Sequence, residues 1–164
     1  MSCEKITLRV YGLLLKSPDL VLVTDEFRFG MQMTKFPGGG LELGEGTRDC
    51  LKREFMEELG IAISTHEHFY TTDFYQQSAF SAIPMQLISV YYFVTSGQLS
   101  KISTAQHRFA FEHQQEGAQL FRWMSILDSD PSEITFPIDK LVFEKLRNCF
   151  KAGGSVASLC KVAF

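Results

Sequence analysis

No apolar run in this chain is long enough to cross a bilayer, and the N-terminal stretch at residues 10–15, interrupted by Gly12, is also too short for a signal peptide. Cysteine is sparse. Cys3, Cys50, Cys149 and Cys160 form no CxxC pair and have no histidine at zinc-finger distance, which argues against structural zinc and for reduced, mostly buried thiols. Positive charge is also lacking: 16 Lys and Arg stand against 19 Asp and Glu, giving a net charge of −3 and a pI near 5.8. Broad attraction to nucleic acid polymers or to anionic membranes is therefore not expected. There is no internal repeat and no low-complexity tract. What remains, 164 residues with 45% hydrophobic content, suits one globular domain with a sizeable core, expected to be soluble and cytoplasmic.

Against this plain background one segment stands out. From Gly39 it runs five residues to Glu45, seven more to Arg53-Glu54, then Phe55, one residue, Glu57-Glu58, one residue, Gly60 and Ile61. If residues 47–59 are helical, at about 100° per residue, Glu54, Glu57 and Glu58 fall within an arc of about 100°. Like charges at these spacings repel, so a bare helix gains nothing from them. Hard divalent cations with oxygen ligands would compensate, and they also bridge phosphate oxygens. A lone glutamate cluster is more often a solvated helix face; the flanking residues reverse that preference here. Arg53 stands four residues before Glu57, in reach of a charge-assisted hydrogen bond that would orient it. Leu51, Phe55 and Leu59 supply the opposite, core-facing edge. Upstream, Gly38, Gly39 and Gly40 form a glycine-rich approach where backbone can come close to a ligand. Thr47 is a plausible N-cap with anion-accepting N–H groups behind it, and Gly60 ends the helix.

The remaining elements read more coarsely. Strands are expected at residues 6–15 and 20–24, joined by the turn Lys16-Ser17-Pro18-Asp19, and at 68–75, 86–94 and 119–124. Residues 27–35 read as a loop. Residues 76–84 are too long for a tight hairpin and read either as a pocket wall, with Phe80 as a stacking candidate, or as an ordinary surface loop with that aromatic tucked into the core. Residues 95–118 read as a long polar connection with room for a short strand. The spacing of Ile138, Leu141, Val142, Leu146 and Phe150 predicts a closing helix stopped by Gly153-Gly154. The tail, residues 155–164, reads as a further strand or as packing against a second copy in a homodimer.

The segment from Gly39 to Ile61 resembles the signature box of the Nudix hydrolases, although Cys50-Leu51 and Phe55 replace the smaller residues usual there. The resemblance implies a mixed β-sheet in an α/β/α sandwich. It also implies Mg²⁺- or Mn²⁺-dependent hydrolysis of a phosphoanhydride in a nucleoside diphosphate derivative, by attack of water on phosphorus. Glu57 and Glu58 would hold metal, Glu45 would ligate directly or through water, and Glu54 would be ligand or general base. Arg53 would support them, and Gly38, Gly39, Gly40 and Phe80 would contact substrate. Glu112 and Glu116 are candidates for a further acidic group. The four histidines show no metal-ligand spacing with the box. Markers of the ADP-ribose class (a Pro some fifteen residues past the box) and of the coenzyme A class are absent or incomplete, which leaves a nucleotide or nucleotide-sugar as the expectation. The alternatives are a Nudix-fold nucleotide sensor without hydrolysis and an isoprenoid diphosphate isomerase, whose catalytic cysteine Cys50 is not in evident position to supply.

Overall fold

In the computed structural model, residues 3–79 and 81–160 are described. The long strand β1 (Lys5–Lys16) organises the sheet. It pairs in parallel with β6 (Met85–Thr95), which in turn pairs antiparallel with β5 (Ser64–Thr71). The first half of its other edge takes the short strand β4 (Gly38–Gly40), and its end takes β2 (Leu20–Arg28). β2 carries β3 (Met31–Lys35) on one side and β7 (Ala118–Ser125) on the other.

Alternation along β1 feeds two cores. Val10 and Leu14 join Cys50, Leu51 and Phe55 of α1 (Thr47–Leu59), while Tyr11, Leu13 and Leu15 join Ile138, Val142, Phe143, Leu146 and Phe150 of α2 (Pro137–Lys151). A mixed sheet between two helical layers results, as expected. The large Phe55 is accommodated by Gly12: a Cβ there would lie 2.7 Å from the Phe55 ring. Loss of the Phe55 ring would cost about 3–5 kcal/mol. No helix among the described residues is long and apolar enough to cross a membrane.

Several sequence expectations need correction. Residues 27–35 are not a loop: β2 runs on to Arg28 and a two-residue turn, Phe29 (φ 54°) and Gly30 (φ 70°), leads into β3. Such a turn needs positive φ at both central residues, and Phe-Gly hides the usual Asn-Gly signal. β5 starts at Ser64 and stops at Thr71, with its register shifted around His68, so the aromatic residues Phe74 and Tyr75 lie beyond it, partly exposed. No strand forms between residues 96 and 117; a single 3₁₀ turn, Leu99–Lys101, stands there. After Gly153-Gly154 the tail makes one helical turn, α3 (Val156–Leu159), capped reciprocally by Ser155 and Ser158. Residues 161–164 lie outside the described residues.

Candidate active site

Burial of Cys50, Leu51 and Phe55 fixes the rotation of α1, so the edge bearing Arg53, Glu54, Glu57 and Glu58 faces out beside β4. The helix starts after Gly46 with no side-chain cap, contrary to the expectation for Thr47, whose hydroxyl lies 2.8 Å from that of Tyr92 on β6. Gly60 does close it, in the left-handed conformation, with its N–H on the Met56 carbonyl. Gly39 and Glu54 are packed so closely that a Cβ on Gly39 would sit 2.2 Å from the carboxylate. A side chain there would push the Glu54 carboxylate aside, which links the glycine strand to the acidic helix physically.

Arg53 is the hub. Its Nε and Nη2 donate to the two oxygens of Glu45 at 3.0 and 2.7 Å, Nη1 donates to Glu54 at 2.9 Å and to Glu57 at 3.3 Å, and Nη2 also reaches the Gly40 carbonyl at 3.0 Å. The expected link to Glu57 is present but is the longest of these. Glu45 further accepts the Glu42 N–H at 2.9 Å. Held first by Arg53 and then by this backbone donor, its carboxyl falls to about 2. Both Glu45 oxygens are engaged by Arg53 and Glu45 does not line the cleft, so in this structure it braces the guanidinium. Cys50 is buried and donates its thiol to the Gly40 carbonyl; burial, then Glu45, pushes it up to about 12, so no thiolate is on hand.

In front of the helix lies a polar cleft of ≈ 480 Å³. One wall carries Glu54, Glu57 and Glu58 with Gly38, Gly39 and Gly40; the other carries Arg9, Glu26, Arg28, Phe29 and Lys35. Sequence reading missed this second wall, because taking residues 27–35 as a loop hid the pairing that sets Glu26 near Lys35. Lys35 Nζ and Glu26 Oε1 are 2.9 Å apart, each side chain 3% exposed. Burial alone would neutralise both, but each is the main charged partner of the other, and the balance lowers the Glu26 pKa and raises that of Lys35. Gln119 donates to Glu26 at 3.1 Å. Glu58 stands behind them: its Oε2 is buried with no hydrogen-bond partner, and burial, with Glu26 and Glu54 nearby, pushes its pKa up against the pull of Lys35 and of the Gln119 side chain.

Glu116 is not in this wall; it accepts the Phe29 N–H at 2.8 Å. Glu112 lines a separate shallow hollow with Phe111 and His113. His66 and His68 bond to Thr95 and Thr71, away from the cleft. A narrow slot of ≈ 30 Å³ lies on the other side of β1, between Tyr11, Leu87, Ser89 and Tyr91 of the sheet and Pro137, Ile138 and Asp139 of α2, with Gln76, Gln77 and Ala79 as its outer wall. Asp139 accepts the Tyr91 hydroxyl at 2.5 Å, and its burial raises it to about 6. Phe80 lies outside the described residues.

No curated protein sequence matches the chain. Among solved structures it is similar to a MutT protein from Methanosarcina mazei Go1, at 20% identity over 92% of this chain and 99% of that one, TM-score 0.59. A MutT NUDIX hydrolase from Burkholderia pseudomallei is similar at 18% identity, covering 86% and 98%, TM-score 0.61. An ADP-ribose pyrophosphatase from Streptococcus suis 89-1591 is similar at 17%, covering 92% and 93%, TM-score 0.58. Identities this low speak for the fold alone. The NUDIX domain model, however, matches residues 6–144, from the second residue of β1 into α2 and across the whole acidic helix, and on that ground the chain belongs to the Nudix family of pyrophosphohydrolases.

Proposed function

We propose that this chain hydrolyses a phosphoanhydride bond in a nucleoside diphosphate derivative, a nucleotide or nucleotide-sugar, with Mg²⁺ or Mn²⁺. The carrying observation is the Glu58 oxygen that is buried without a partner in a cleft shared with Glu54 and Glu57. A buried carboxylate oxygen left unpaired is costly, and a hard cation is the partner that satisfies it. Among the described residues no three acidic, histidine or cysteine groups already converge as a cage, because the Glu54 and Glu57 carboxylates are turned to Arg53. The donor set is nonetheless all oxygen, which fits Mg²⁺ or Mn²⁺, and Nudix hydrolases generally use divalent metals.

Glu57 and Glu58 would hold the ion, and Glu54 would either join them or take the proton of the attacking water. When bound, the ion neutralises phosphate charge and lowers the pKa of water. Arg53, braced by Glu45 and the Gly40 carbonyl, keeps Glu54 and Glu57 in place. Gly38, Gly39 and Gly40 leave the strand bare of side chains where the phosphates pass. The nucleoside is assigned to the slot below α2, where Asp139 and Ser89 offer polar groups among Tyr11, Leu87 and Tyr91. At ≈ 30 Å³ the slot has room for about one or two waters. A base therefore enters by displacing residues 76–79, with Phe80 next in the chain as the stacking candidate.

The test is release of nucleoside monophosphate or phosphate from a panel of nucleoside diphosphate derivatives, with and without Mg²⁺ or Mn²⁺. Metal-dependent turnover of at least one member is expected. Binding of nucleotide without turnover of any member would favour the sensor reading.

A further inference from the structure

Arg9 has no part in the acidic box, and the machinery above does not use it. It lies on β1 with Gly40 of β4 opposite it on one side and Ser89 of β6 opposite it on the other. Gly40 belongs to the acidic cleft and Ser89 to the slot under α2, so Arg9 stands at the crossing between the two. The distance from β4 across β1 to β6 is two strand spacings, about 10 Å. A ligand with its phosphates in the cleft and its nucleoside in the slot must pass over this residue.

The guanidinium is held in place for that role. Its Nε donates to the Tyr11 hydroxyl at 2.8 Å, and Tyr11, two residues along the same strand face, lines the slot. The group is partly buried, and it lies close enough to Glu54 and Glu26 to feel both charges. The other two cations of the wall both lie beside Glu26, Lys35 at 2.9 Å and Arg28 at 3.7 Å. An arginine at this crossing matches a phosphate better than a lysine would, since its planar fork engages two oxygens together.

We propose that Arg9 binds the phosphate attached to the nucleoside, so that the chain discriminates a nucleoside 5′-phosphate end from a bare nucleoside. The inference rests on the hydrolase reading for the direction in which the substrate lies, and deepens it by naming the residue that fixes that direction. Arg9 is a binding residue in this scheme, and Tyr11 positions it.

The experiment compares wild type, Arg9→Gln, Arg9→Lys and Tyr11→Phe. Calorimetric affinities are measured for the common nucleoside monophosphates and for the matching nucleosides, alongside steady-state kinetics on the best member of the substrate panel and thermal unfolding. Wild type should prefer the monophosphate over the nucleoside by about 10- to 100-fold, the scale of one or two charged hydrogen bonds. Arg9→Gln should shrink that preference to within about threefold while leaving nucleoside affinity and unfolding temperature near wild type; Arg9→Lys should recover part of it. Tyr11→Phe should lose less than Arg9→Gln. An Arg9→Gln variant that keeps the full monophosphate preference overturns the proposal, as does one that loses nucleoside and monophosphate affinity equally. Absence of turnover in wild type would instead sink the hydrolase reading and leave the affinity comparison standing on its own.

Discussion

Replacing Arg53 pits two effects of opposite sign against each other. Arg53→Ala removes a positive charge from beside the proposed cation site, which by itself would tighten metal binding. Arg53 is 23% exposed and Glu57 59% exposed, so that effect acts in a water-like dielectric and is worth about 1–2 kcal/mol. The same substitution removes the bonds that fix Glu45, Glu54, Glu57 and the Gly40 carbonyl, each charge-assisted and worth about 1.5–3 kcal/mol when made. Orientation should win, weakening metal affinity by about 10- to 100-fold, or about 1.4–2.7 kcal/mol, with turnover falling at least as far. Arg53→Lys decides between the two effects, because it keeps the charge and loses the fork that spans both oxygens of Glu45. Mn²⁺ titration followed by electron paramagnetic resonance, together with kcat and unfolding temperature, reads all three quantities. If Arg53→Ala binds Mn²⁺ as tightly as wild type or more tightly, and Arg53→Lys behaves as wild type, charge alone matters and the bracing role is wrong.

Glu57→Gln and Glu58→Gln should each abolish most metal-dependent turnover with little change in the folded state, and unchanged rates in either would remove it from the ligand set. Gly39→Ala should force the Glu54 carboxylate aside, since a Cβ would lie 2.2 Å from it; a drop in kcat well beyond any drop in unfolding temperature is expected, and unaltered kcat would mean that Glu54 is free to move. Asp139, raised to about 6 from an ordinary 3.8 chiefly by burial, binds its proton more tightly folded than unfolded, so its contribution is fully present below about pH 4 and is lost as pH rises through 6. Asp139→Asn keeps an acceptor for Tyr91 and should gain about 2–3 kcal/mol on wild type between pH 4 and 7 in urea unfolding; a pH-independent difference would show that Asp139 titrates normally. Phe80→Ala should raise KM for a base-bearing substrate, by the equivalent of about 1–3 kcal/mol, while sparing a minimal diphosphate; an equal effect on both would move specificity elsewhere.

The sequence was most legible where one local period decides the outcome. The bounds of α1 follow from the apolar spacing of Leu51 and Phe55 and from Gly60, and α2 from Ile138 to Phe150 in the same way. Legibility failed where pairing across the sheet overrides local signal. Gly30 alone is a weak turn signal when a bulky aromatic, Phe29, occupies the first positive-φ position, and so β3 was hidden. With β3 went the second wall of the cleft: Glu26 and Lys35 are nine residues apart in sequence and meet only once β2 and β3 are paired. Arg9 was hidden for the same reason, since its value depends on which strands flank β1. Arg53 was legible in part. Helical spacing shows its neighbours on α1, Glu54 and Glu57, but Glu45 comes to it from the preceding loop.

The two walls would let an acidic protein with an acidic cleft receive the polyanion proposed as its substrate. Four carboxylates and three cations face the same space, and they are sorted rather than mixed: the ionised Glu26 is spent on Lys35 and Arg28, while the unpartnered oxygen belongs to Glu58 on the helix side. On the proposed reading the helix side would repel phosphate without a divalent ion and attract it with one, so substrate affinity should depend on metal far more than on the net charge of −3. The opposite wall needs no metal. Arg9 can hold one phosphate at the crossing from cleft to slot while the second lies over the glutamates, which would place the bond between them at the acidic helix.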